Sequence, residues 1–139
     1  MANSSFTVTG GEFTNNVIGS TEFLYFQSDV TFTDVNISGN TLNNGTYGII
    51  SVDTLKADFI GCSINNNNYT KSVVYIRYTN GYTKDSVVNF TDCTFNGNST
   101  TSSANNSIIE LASNTAKVNF DSCTITGNTS GASGSAIKF

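Results

Sequence analysis

The sequence predicts an all-β fold, a parallel β-helix (β-solenoid) of about five coils of 24–31 residues. Three observations predict it. A pattern of about ten residues recurs five times, starting near residues 6, 30, 57, 88 and 118. Within each copy apolar and polar residues alternate, the period-two signature of a strand with one buried face. And 20 Asn, 20 Thr and 18 Ser surround 10 Phe and 6 Tyr in a chain without Pro, a composition of many short strands divided by turns.

The copies line up residue by residue. The first holds Phe6, Val8, Gly11, Phe13 and Asn16, and the second Val30, Phe32, Val35, Ile37 and Asn40. The third holds Ala57, Phe59, Cys62, Ile64 and Asn67, and the fourth Val88, Phe90, Cys93, Phe95 and Asn98. The fifth holds Val118, Phe120, Cys123, Ile125 and Asn128. A second apolar stretch follows each copy, at 23–26, 49–52, 73–76, 108–111 and 136–139. Each unit therefore reads as a strand, a two-residue corner, a strand, a turn at Asn, a polar loop and a third strand. No unit has room for a helix of useful length.

Such a unit cannot bury its own apolar face, but stacked units can. Successive coils then pair in parallel about 4.8 Å apart, and equivalent residues form ladders. Phe32, Phe59, Phe90 and Phe120 make one, with Val8 beneath them. Val35, Cys62, Cys93 and Cys123 make a second, and Phe13, Ile37, Ile64, Phe95 and Ile125 a third. Asn16, Asn40, Asn67, Asn98 and Asn128 make a fourth at the turn. Asn suits that place because its backbone tolerates left-handed dihedrals and its amide can bond along a stack.

The signature Phe/Ile-x-x-Asn, at Phe13–Asn16, Phe95–Asn98 and Ile125–Asn128, with Gly134-Ser-Ala-Ile137, resembles the repeats of polymorphic outer membrane proteins and related adhesin-like β-helices. That resemblance implies a right-handed helix, an extracellular or cell-surface location and a structural or adhesive role.

Composition excludes several function classes. Six basic residues against ten acidic ones give no electrostatic footprint for nucleic acid or anionic lipid. No apolar run is long enough to insert as a membrane helix. The absence of His removes the commonest general base and metal ligand. The leading expectation is a non-catalytic structural protein, a segment of a fibre, stalk or adhesin, with no cofactor. The alternative is a carbohydrate-binding or polysaccharide-degrading β-helix module. Asp34, Asp92 and Asp121 lie at or beside the first corner, but the three are not strictly equivalent: Asp34 and Asp92 share a position that Gly61 and Ser122 hold in other coils, and no basic residue accompanies them in pattern. They read as solvated corner residues.

The three cysteines share an inward slot with Val35 and read as small hydrophobes rather than as a disulfide or metal site. Sequons place glycosylation candidates at Asn36, Asn44, Asn68, Asn89 and Asn105. Asn36 and Asn89 face outward on strands, while Asn44, Asn68 and Asn105 are expected in loops. Tyr25, Tyr75, Tyr78 and Tyr82 are expected on the surface, where they could contact sugar or protein.

Neither end carries a polar capping unit. Placing residue 6 of a second copy after residue 139 nearly continues the internal register, so the whole chain is expected to be one domain, residues 1–139. It is either part of a longer β-helix or a protomer that stacks head to tail. Phe6, Val8, Phe13, Ile137 and Phe139 are the contact candidates for stacking.

Overall fold

The computed structural model describes residues 4–77, 86–100, 102, 106–112, 115–131 and 134–139. Its described residues form strands and no helix. The chain winds as a β-solenoid through four complete rungs and a fifth of three strands. The first rung is β1 (Ser5–Thr9), β2 (Glu12–Thr14), β3 (Val17–Ile18) and β4 (Leu24–Phe26). The second is β5 (Asp29–Thr33), β6 (Asn36–Ser38), β7 (Thr41–Leu42) and β8 (Gly48–Val52). The third is β9 (Lys56–Ile60), β10 (Ser63–Asn65), β11 (Asn68–Tyr69) and β12 (Ser72–Ile76). The fourth is β13 (Val87–Thr91), β14 (Thr94–Asn96), β15 (Ser99–Thr100) and β16 (Ser107–Leu111). The fifth is β17 (Lys117–Asp121), β18 (Thr124–Thr126) and β19 (Ser135–Lys138).

Equivalent strands of successive rungs pair in parallel, which builds four sheets that run the length of the solenoid. The register is the one the repeat dictates. Val8, Phe32, Phe59, Phe90 and Phe120 are consecutive partners in the first sheet. Phe13, Ile37, Ile64, Phe95 and Ile125 are consecutive partners in the second. A slip of one residue would turn every one of these side chains to solvent.

Two expectations need correction. Each full rung has four strands, not three, because the two residues after the ladder Asn pair with their equivalents as a short third sheet. Two residues are too few to show an alternation in sequence. Asn68 accordingly lies in strand β11 and is half-buried, not in a loop. Second, the inward slot that Cys62, Cys93 and Cys123 share lies in the corner between the first two sheets, one residue before the second strand begins, and not within that strand's alternation.

Two columns of left-handed backbone turn the corners. Gly10, Asp34, Gly61, Asp92 and Ser122 follow the first sheet, with φ between 53° and 68°. Asn15, Gly39, Asn66, Gly97 and Gly127 follow the second, also with positive φ, so the left-handed backbone belongs to the residue before each ladder Asn and not, as the sequence suggests, to the ladder Asn itself. This explains the corner acids: Asp and Asn, with Gly, tolerate this conformation. Gly also makes room. A Cβ on Gly61 would collide with the Asp34 carboxylate of the rung before, and one on Gly39 with the Asn15 amide.

The core is one aromatic and aliphatic column. Phe59 and Phe90 stack at 5.0 Å between ring centroids, and Phe90 and Phe120 at 5.4 Å. Phe95 meets Phe90 edge to face at 5.2 Å. Among the described residues, every fully buried apolar side chain lies from Val30 to Ile109. Val8, Phe13 and Phe23 at one end, and Phe120, Cys123 and Ile125 at the other, pack on that core but are only partly covered.

Tyr69 is the largest fully buried side chain, and sequence reading missed it because it stands on one of the two-residue strands. Its hydroxyl reaches two rungs up and donates to the Thr129 carbonyl at 3.1 Å. Burial pushes its pKa up to about 12 from 10.0. Above pH 10 the unfolded chain therefore loses this proton more readily than the folded one. Stability is expected to fall as pH rises from 10 to about 12, and Tyr69→Phe to flatten part of that fall. Denaturant titrations across that range check it.

Candidate functional site

The most ordered polar feature is the Asn ladder. From Asn40 on, each ladder Asn Oδ1 accepts twice from the Asn one rung before, from its backbone N–H and from its Nδ2. Thus Asn67 Oδ1 receives Asn40 N at 3.0 Å and Asn40 Nδ2 at 3.0 Å. Asn98 Oδ1 receives Asn67 N at 2.9 Å and Asn67 Nδ2 at 3.0 Å. Asn128 Oδ1 receives the same pair from Asn98. The second Nδ2 proton goes back to a main-chain carbonyl of the rung before: Asn40 to Phe13, Asn67 to Ile37, Asn98 to Ile64 and Asn128 to Phe95. Asn40, Asn67 and Asn98 are fully buried, and the network satisfies their amides completely.

The ladder has a direction. Asn16, in the first rung, donates to Asn40 Oδ1, and its second proton turns to its own rung's Thr14 carbonyl. Among the described residues no ladder Asn donates to its Oδ1. At the opposite end Asn128 accepts from Asn98 and gives one Nδ2 proton to the Phe95 carbonyl.

The cysteine ladder is also hydrogen-bonded. All three cysteines are free thiols. Cys62, Cys93 and Cys123 donate to the carbonyls of Phe32, Phe59 and Phe90, at 3.5, 3.3 and 3.3 Å. The neighbouring Cys62 sulfur, and then burial, push the Cys93 thiol up. Cys62 and Cys93 are buried, whereas Cys123 is partly exposed. A water-soluble thiol reagent is expected to modify Cys123 in the native chain, and all three cysteines only after denaturation. Time-resolved thiol titration with and without denaturant checks this.

The outward face of the fourth sheet carries a different column: Tyr25, Ser51, Tyr75, Glu110 and Lys138 in successive rungs. The Arg77 guanidinium lies 3.9 Å from the Tyr47 ring centroid and 4.8 Å from that of Tyr25, and pairs with Glu22 at 3.3 Å. Tyr25 donates to Asp53 at 2.7 Å. Glu110, 6% exposed, takes Lys71 at 3.0 Å and Lys138 at 2.9 Å on the same oxygen. These contacts brace the loops over the sheet. Tyr78 and Tyr82 lie outside the described residues.

The sequons differ in accessibility. Asn44 is exposed in a turn at φ 60°. Asn36 is half-buried, its Oδ1 accepting from Ser38. Asn89 is half-buried, and its Nδ2 is engaged with Asp58 at 2.7 Å. Asn105 lies outside the described residues. Among the described residues no group of three His, Cys, Asp or Glu side chains converges to hold a metal. No helix of the described residues is long and apolar enough to cross a membrane.

The end rungs complete the picture. Phe6 is 55% exposed, and Phe139, beside the last strand, is 90% exposed. Ile108, Ile125, Gly127, Asn128 and Ala136 line an open hollow of about 160 Å³ on the fifth rung. No protein-family model, no curated protein and no solved structure matches the chain.

Proposed function

We propose that this chain is a non-catalytic structural segment of the cell surface or extracellular space, part of a fibre, stalk or adhesin, whose solenoid stacks head to tail on a second copy. One observation carries the reading. The first and last rungs leave partly bare the same ladders that are fully buried between Val30 and Ile109. Bare apolar ladder ends and unpaired strand edges favour association through those ends. The extracellular placement draws on the resemblance of the Phe/Ile-x-x-Asn repeats to polymorphic outer membrane proteins and adhesins, and on the polar Asn, Ser and Thr coat. Glycans fit the same setting. In a glycosylating secretory host Asn44 is the acceptor expected to carry one, read as a mass shift absent from Asn44→Gln.

Sedimentation velocity and negative-stain electron microscopy over a concentration series test the stacking. Filaments one solenoid wide, with Cys123 protected from alkylation as they form, support it. A monomer at every concentration overturns it.

The second reading, a carbohydrate-binding or polysaccharide-degrading module, draws on the tyrosines and charged groups over the fourth sheet, since such rings stack on sugars. Binding to a polysaccharide panel, abolished by Tyr75→Ala, would favour it; turnover lost in Asp92→Asn would make the chain an enzyme.

A further inference from the structure

We infer that the asparagine ladder makes the junction polar, so that the last rung of one copy accepts only the first rung of the next. The inference rests on the head-to-tail reading and specifies its interface. Every internal step of the ladder is the same: the backbone N–H and Nδ2 of one Asn meet the Oδ1 of the Asn in the following rung. Continued past the fifth rung, the same step takes its donors from Asn128, and continued before the first it takes its acceptor from Asn16. Two first rungs would place acceptor against acceptor, and two last rungs donor against donor. Only the head-to-tail junction repeats the internal step. It also frees Asn16 Nδ2 from Thr14 to reach the Ile125 carbonyl of the preceding copy, as Asn40 reaches Phe13.

The rest of the two surfaces agrees with this register. Val118 and Phe120 come over Phe6 and Val8 of the second copy, large against small in the Phe120 column. The first rung's Phe13 and Phe23, edge to face at 6.4 Å, come over Ile125 and Ala136, the residues that border the open hollow. The corner column continues as well, with Ser122 facing Gly10, where an added Cβ would now meet nothing. On the strands aligned by this register no like charges meet: Lys117 faces Ser5, Asp121 faces Thr9, Glu12 faces Thr124 and Lys138 faces Tyr25.

The test uses three variants of the whole chain, each checked for native circular dichroism. Asn16 is exposed, so Asn16→Ala leaves the monomer folded while removing the junction's acceptor. It is expected to raise the concentration needed for filaments about tenfold or more. Phe6→Lys blocks the first rung, and Ile125→Lys blocks the last. Each alone should remain monomeric, and their mixture should give dimers that grow no further. Wild-type filaments with Asn16→Ala assembling at an unchanged concentration overturn the ladder's role and leave the stacking reading intact. Dimers of Ile125→Lys alone, which has only its first rung free, overturn the polarity. A wild-type chain that never assembles overturns both readings together.

Discussion

Asn67→Ala is expected to lower the melting temperature of the chain by about 10 °C or more, the largest effect of any single polar truncation. The substitution leaves Asn40 N–H and one Asn40 Nδ2 proton buried without partners, and takes one of two donors from the Ile37 carbonyl and from Asn98 Oδ1. An orphaned buried group costs about 1–3 kcal/mol, so two amount to about 2–6 kcal/mol. For a chain of this size a kilocalorie corresponds to roughly 3 °C. Asn67→Asp should cost more. It keeps the acceptor for Asn40 but sets a buried carboxylate oxygen against the Ile37 carbonyl and Asn98 Oδ1. Thermal melts by circular dichroism decide the matter. If Asn67→Ala melts within a few degrees of wild type, the ladder is decoration on a fold held by its apolar columns alone.

Phe59→Ala is the second large effect, expected at about 3–5 kcal/mol. The ring is fully buried, stacked on Phe90 and edge-on to Phe32 at 5.7 Å, and neighbours on both sides are held by their own rungs. The cavity therefore cannot collapse far. Phe6→Ala, at an exposed position of the same sheet, should stay within about 0.5 kcal/mol in the dilute chain. The contrast tests the solenoid as a nearly one-dimensional object, in which each rung is held by its two neighbours and the end rungs by one. Hydrogen exchange should follow the same gradient, slowest in β9 and β13 and fastest in β1 and β17. Equal losses for Phe59→Ala and Phe6→Ala would contradict it.

The repeat made much of this molecule legible before any coordinates. The Phe column, the Val35–Cys column and the Asn column each hold one place in an alternating pattern, and a period of two admits only one set of inward residues. What the pattern left out has a common cause. Tyr69 and the third sheet rest on two-residue strands, which carry no periodicity. Asn68 looked like a loop residue because Asn runs usually mark turns, yet its backbone N–H bonds the Asn40 carbonyl at 2.8 Å and joins a sheet. Asp34 and Asp92 read from the sequence as solvated corner residues, and the structure adds a conformational reason for their type: their φ values of 55° and 53°.

By itself, then, the sequence determined the solenoid, its rung length and the identity of its ladders, because stacking equivalent residues is the one way such short strands bury their apolar faces. Only the tertiary structure decided the direction in which the amides donate along the stack. Direction is a property of atoms paired between rungs some thirty residues apart, and an Asn column reads the same from either end until its donors and acceptors are placed.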